Sequence, residues 1–199
     1  MDGPVYARPA ISLIGEGFGP HGAAIYIGGS EGARDLGLLR RHGITTVVNC
    51  AVNLDINFVR TAAEESDLCA SGYGDVRYYK LGLIDGEGSP DTMMLGAYYI
   101  LDGVLRQTMP KRETYPFLDG GNVLVNCRSG RSRSVSLVAL FLHKQQPHLY
   151  PTLDDALTVI REKRELRPDE WFETPKPMLY AAAQRASEWI DFIEGRKQP

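Results

Sequence analysis

The chain has no apolar run long enough to cross a bilayer. Its longest, residues 135–142, falls far short of the roughly 20 residues that a transmembrane helix needs. The first residues, Met1-Asp2-Gly3-Pro4, lack the basic and apolar stretches of a secretory signal. Cysteine is scarce and odd in number, three in 199 residues, which excludes a disulfide-stapled scaffold. A reducing cytoplasm is the expected location. Positive charge is not in excess, since 22 Lys and Arg face 25 Asp and Glu for a net charge of −3. Neither a basic stripe nor an aromatic RNA-binding signature is present, so no nucleic-acid partner is expected. A short basic cluster at residues 106–112 reads as a solvated loop. The four histidines, His21, His42, His143 and His148, show no metal-ligand spacing.

What remains is an ordinary globular composition, 43% hydrophobic and 24% charged, in a length that suits one domain. Apolar β-type segments fall at residues 10–14, 24–27, 44–49, 76–83 and 123–126. Helical patterns fall at 31–42, 57–66, 92–106, 132–144, 152–164 and 178–194. Thr152 followed by Asp155 has the spacing of a capping box. The alternation predicts an α/β single domain with a largely parallel central sheet flanked by helices. In such sheets sites form beyond the carboxyl ends of strands.

One junction carries most of the chemistry. The strand pattern Asn122-Val123-Leu124-Val125-Asn126 runs into Cys127-Arg128-Ser129-Gly130-Arg131-Ser132-Arg133-Ser134, and an apolar helix pattern follows. A loop between a strand and a helix N-terminus converges backbone N–H groups and adds partial positive charge, which makes an anion cradle. Cys127 places a thiol there. A cysteine attacks as its thiolate, and a free thiol pKa of about 8.5 falls to roughly 3.5–7.5 at helix N-termini and beside cations. Gly130 lets the loop turn its amides inward. Arg133, six positions after Cys127, can fork onto two oxygens of a phosphoryl group. Ser134 is placed to donate to the sulfur or to cap the helix. Arg128 and Arg131 read either as solvated charge or as a grip on a second anionic group. Cys50 and Cys69 read first as small buried hydrophobes.

The Cys-x5-Arg-Ser pattern resembles the signature loop of the cysteine-dependent protein tyrosine phosphatase superfamily, and the short chain resembles its dual-specificity branch. The likeness extends to Ile25-Tyr26-Ile27-Gly28-Gly29-Ser30, to residues 36–49, to Tyr78-Tyr79-Lys80-Leu81 leading into Asp85, and to Arg167-Pro168. It covers roughly residues 24–190. The resemblance implies a phosphatase-like catalytic domain over residues 24–194, with an N-terminal extension at 1–23 and a tail at 195–199. It implies a phosphoprotein phosphatase acting on phosphotyrosine, with phosphoserine and phosphothreonine as further substrates, through a phosphocysteine intermediate and with no metal or other cofactor. Cys127 would be the nucleophile and Asp85, with Glu87 and Asp91 as nearby competitors, the general acid. Arg133 and the loop residues Arg128, Ser129, Gly130, Arg131 and Ser132 would hold the phosphate, and Ser134 would assist the thiolate. Family members usually have His before the cysteine, where this chain has Asn126, so a shifted or weakened pH–rate profile is expected. Some members pair a strand-end cysteine with the nucleophile in a reversible disulfide, which implies Cys50 as a redox partner.

Three other readings stay open. The loop, Asp85-x-x-Gly88-x-Pro90 and Arg167-Pro168 are also similar to phosphatidylglycerophosphate phosphatases, so a phospholipid or other non-protein phosphate monoester is the alternative substrate. Rhodanese domains share Cys-Arg-Ser-Gly, but Arg133 and Asp85 favour phosphate over sulfane sulfur. With Asn126 before the cysteine, a non-catalytic phosphate-binding module is the remaining reading.

Overall fold

The computed structural model describes residues 8–59, 69–113, 115 and 120–195. Five strands form one sheet in the order β1-β2-β5-β3-β4. They are β1 (Ile11–Phe18), β2 (Ala23–Gly28), β3 (Ile44–Ala51), β4 (Arg77–Leu83) and β5 (Asn122–Asn126). β2, β5, β3 and β4 run parallel, and β1 is antiparallel to β2 at one edge. β1 lies within the segment expected to be an extension, and it contributes an edge strand to the same sheet.

Both faces of the sheet are covered, and the period-two alternation of side chains shows how. Ile25, Ile27, Val48, Val123 and Val125 point into the larger core, which they share with helices α3 (Asp91–Arg106), α4 (Arg133–Gln145), α5 (Leu153–Lys163) and α6 (Pro177–Ile193). Ala24, Tyr26, Val47 and Leu124 point the other way, toward Ala33 and Leu39 of the short helices α1 (Ser30–Arg34) and α2 (Leu36–Arg41). Residues 31–42, expected to form one helix, are thus two. Asp35 breaks the helix with an extended backbone and caps α2 by accepting from the Leu38 amide at 2.9 Å.

α4 is buried on nearly every side, from Arg133 through Leu142. A helix apolar all round belongs in a core, and this one fixes the position of the loop that feeds it. α5 opens on the expected capping box, with Thr152 and Asp155 hydrogen-bonded reciprocally. The expected helix at 57–66 falls mostly outside the described residues. Its first part is not helical, because Val59 bridges to Gly74. A 3-10 helix, Pro168–Glu173, joins α5 to α6. Among the described residues no helix is long and apolar enough to cross a membrane.

Candidate functional site

Four parallel strands release their loops at the same end of the sheet. β5 releases Cys127, β3 releases Asn53, β4 releases Asp85 and β2 releases Gly29 and Ser30. Cys127 is 1% exposed and directly follows the last residue of β5. The Ser134 hydroxyl donates to its sulfur at 3.3 Å. Burial alone would push the Cys127 thiol up. The hydroxyl and amide of Ser134, the charge of Arg133 and the Arg131 amide outweigh burial, and the thiol is held below its ordinary value. Ser134 therefore serves the sulfur rather than the helix end, whose N-cap is Ser132.

Arg133 is 2% exposed. Its Nη1 donates to Asn53 Oδ1 at 2.9 Å and to the Leu83 carbonyl at 3.3 Å, which sets the guanidinium across the mouths of β3 and β4. Its Nε is buried without a hydrogen-bond partner. Nη2 lies 3.8 Å from Asp85 Oδ2, so the expected acid and the expected phosphate-binding cation come together. The competing acids are placed differently. Asp91 takes a two-pronged contact from Arg185 of α6, which holds its carboxyl below the usual range, and Glu87 is exposed.

Around the loop, Arg128 and Ser129 are exposed, while Ser132 is buried. Gly130 has φ +65°, the left-handed region, and a Cβ there would lie 2.7 Å from the Gly28 carbonyl group. Only a residue without a side chain fits so close to β2. Arg131 turns away from the sulfur to pair with Glu170 at 3.2 Å and Glu173 at 3.3 Å, which attaches the loop to the 3-10 helix. Asn126 is fully buried; its Nδ2 donates to the Cys127 carbonyl at 3.2 Å and its Oδ1 has no partner.

Cys50 is buried at the end of β3, and its strand neighbour Asn49 is in register with Asn126. β3 and β5, at whose carboxyl ends Cys50 and Cys127 lie, are therefore adjacent strands of the sheet. Both cysteines are free, and so is Cys69, which is exposed rather than buried as expected because it lies outside the strands and helices of the core. Burial first, then the charge of Cys127, push the Cys50 thiol well above its ordinary value, with Arg133 opposing.

Three contributors have no motif of their own in the sequence. Asn53 orients Arg133. Arg164, 1% exposed, donates to the Gly130 carbonyl, and its Nη1 reaches the carbonyls of Pro9 and Ile27 and the hydroxyl of Ser12. Burial pulls its pKa down to about 10, which leaves it charged at neutral pH. Lys176 contacts Asp85 with its side chain and Ser132 with its amide. Asp85, Ser129, Arg131, Ser132, Glu173 and Lys176 line a cleft of about 170 Å³ beside the loop.

No protein-family model matches the chain. A curated relative, the protein-tyrosine-phosphatase MKP1 of Arabidopsis thaliana, is 28% identical over 141 residues, which span 70% of this chain and 14% of that protein. The chain thus corresponds to a small part of the curated relative it matches. Among solved structures, a mouse chain described as a dual specificity phosphatase, complexed with zinc tungstate, superposes with a TM-score of 0.60 at 19% identity, over 98% of this chain and 96% of that one. Human DUSP28 superposes at 0.59 with 17% identity, over 96% of this chain and 99% of that one. The human tyrosine phosphatase-like serine/threonine/tyrosine-interacting protein superposes at 0.57 with 20% identity, over 83% and 92%. The chain has the fold of the protein tyrosine phosphatases; in structure it is similar to dual-specificity phosphatases and in sequence to a protein-tyrosine-phosphatase.

Proposed function

We propose that the protein is a cysteine-dependent phosphatase that hydrolyses phosphomonoesters of phosphoproteins: phosphotyrosine, with phosphoserine and phosphothreonine as further substrates. The observation that carries this reading is the grouping of Cys127, Ser134, Arg133 and Asp85. A buried thiol held below its ordinary value takes a hydrogen bond from Ser134 and feels the charge of the buried Arg133, and a carboxyl lies 3.8 Å from that guanidinium. The buried Nε of Arg133, without a protein partner, is a donor for an oxyanion.

In the proposed reaction the Cys127 thiolate attacks phosphorus, and the bond to the leaving oxygen breaks. The electron pair stays on that oxygen, which takes a proton from Asp85. Water then attacks the phosphocysteine, Asp85 takes its proton, and the P–S bond breaks to return the thiolate and release inorganic phosphate. Arg133 and the amides of residues 128–133 stabilise the charge of both transition states. Residues 24–194 are proposed as the catalytic region, and a thiolate nucleophile fits the reducing cytoplasm expected from composition.

A second reading, a phospholipid or other non-protein phosphate monoester, is favoured by the exposed Arg128, a cation beside the loop that could meet a second anionic group. Steady-state phosphate release from phosphotyrosine and phosphothreonine peptides, and from vesicles containing phosphatidylglycerophosphate, separates the two. Preference for peptides, abolished by Cys127→Ser, supports the protein reading. Preference for vesicles moves the substrate to the lipid class. Binding of tungstate with no turnover of any substrate leaves a phosphate-binding module.

A further inference from the structure

Lys176 joins two parts of the proposed site that the chain delivers from far apart. Its backbone N–H donates to Ser132 Oγ at 2.9 Å, and Ser132 immediately precedes Arg133 in the loop that carries Cys127. Its ammonium donates to the Asp85 carbonyl at 2.9 Å and lies 3.9 Å from Asp85 Oδ2. The main chain of one residue is therefore fixed to the nucleophile loop while its side chain holds the loop of the acid.

The acid loop needs such a tether. It is exposed at Ile84, Asp85, Glu87, Gly88 and Pro90, and Gly88 has a positive φ of 104°. A second contact, from Arg133 Nη2 to Asp85 Oδ2, is 3.8 Å long and outside hydrogen-bond distance. An ammonium donating to a carbonyl is a charge-assisted hydrogen bond, stronger than a neutral one.

We infer that Lys176 is a positioning residue that holds the Asp85 loop against the Cys127 loop, so that the carboxyl meets the leaving-group oxygen. The inference rests on the phosphatase reading and adds a residue to it. The hydrogen bonds that Lys176 makes with its amide and its side chain go to Ser132 and Asp85. Its effect passes through Asp85.

That route has a signature that general loss of structure does not share. A general acid matters when the leaving oxygen is a poor leaving group and matters little when it departs readily as an anion. The test compares phenyl phosphate with 2,4-dinitrophenyl phosphate in wild type, Lys176→Met, Lys176→Gln and Lys176→Arg, each also combined with Asp85→Asn. Lys176→Met and Lys176→Gln lower kcat/KM for phenyl phosphate by about tenfold or more, a part of the usual general-acid contribution, and change the dinitrophenyl ester little. Lys176→Arg, which keeps a charged donor, restores most of the loss. In the Asp85→Asn background the Lys176 substitutions have no further effect.

Equal losses on both esters, or an undiminished loss in the Asp85→Asn background, overturn the inference while leaving the phosphatase reading intact. Wild-type protein without Cys127-dependent turnover overturns the phosphatase reading and this inference with it. Lys176 is partly exposed and its anchoring amide survives every substitution, so Lys176→Gln supplies a folded comparison if Lys176→Met is unstable.

Discussion

The Ser134 hydroxyl donates to the Cys127 sulfur at 3.3 Å from within the first turn of α4. This contact, with the Ser134 and Arg131 amides and the charge of Arg133, keeps the thiol below its ordinary value despite burial that works against it. Ser134→Ala should therefore move the thiol's titration to higher pH. The pH dependence of alkylation by iodoacetamide measures this directly, because the thiolate is the reacting form. An unchanged titration would remove Ser134 from the account.

The same shift makes a stability statement. A thiol whose pKa is depressed by folding adds stability that is fully present above the unfolded-state value of about 8.5 and is lost as pH falls through the folded-state value. Wild type should gain thermal stability over Cys127→Ser as pH rises through that window. Melting curves of the two proteins that stay parallel across pH would contradict the proposed thiolate.

Asn126 immediately precedes Cys127, at the position where the family resemblance leads to an expectation of histidine. It is buried with Oδ1 unpartnered, an arrangement that costs about 1–3 kcal/mol. Its Nδ2 still donates to the Cys127 carbonyl, so the loop keeps that support without a titratable ring. Asn126→His should change the pH–rate profile of aryl phosphate hydrolysis. A profile that matches wild type would show that this position has no tuning role.

Gly130 and Arg164 hold the loop from below. A Cβ at Gly130 meets the Gly28 carbonyl and the Arg164 guanidinium at 2.7–2.8 Å, in a backbone conformation that other residues adopt at a cost of about 1–3 kcal/mol. Gly130→Ala should displace the loop, weaken tungstate binding and reduce turnover at least about a hundredfold, on the scale of losing an oxyanion donor. Arg164→Met leaves the Gly130, Pro9 and Ile27 carbonyls without their buried donor and should lower Tm as well as oxyanion affinity. Retention of wild-type affinity in both variants would show that the loop keeps its shape without them.

Cys50 and Cys127 lie at the ends of adjacent parallel strands. We predict that mild peroxide converts the Cys127 thiolate to a sulfenic acid, whose sulfur the Cys50 thiol then attacks, breaking the S–O bond and releasing water as the disulfide forms. Peptide mapping should find the crosslinked pair, and thiol reductant should restore turnover. Sulfinic or sulfonic acid on Cys127, with no crosslinked peptide, would count against the pairing.

Local signals made much of the architecture legible. The β5–loop–α4 junction is contiguous, so its apolar strand, its Gly130 and its Arg133 spacing could be read without knowing what packs around them. The Thr152–Asp155 box was equally local. The break between α1 and α2 was hidden, because Asp35 ends one helix and caps the next inside an apolar pattern that looks continuous. Arg164 was hidden for a different reason. Its partners lie at residues 9, 12, 27 and 130, and a buried arginine in a charged stretch looks like a solvated one until the fold brings them together. Lys176 and Asn53 are likewise defined by contacts 44–91 residues distant, which no spacing rule encodes.

Covalent catalysis through Cys127 requires a phosphocysteine, and that intermediate can be trapped. Turnover of an aryl phosphate is quenched in acid within the first cycles, in wild type and in Asp85→Asn, and the peptide containing Cys127 is weighed by mass spectrometry. One added phosphoryl group is expected on Cys127, more abundant in Asp85→Asn with an activated ester because its hydrolysis is slowed, and none in Cys127→Ser. Phosphate release that proceeds without any phosphoryl group on Cys127, and that survives Cys127→Ser, would contradict covalent catalysis through this residue.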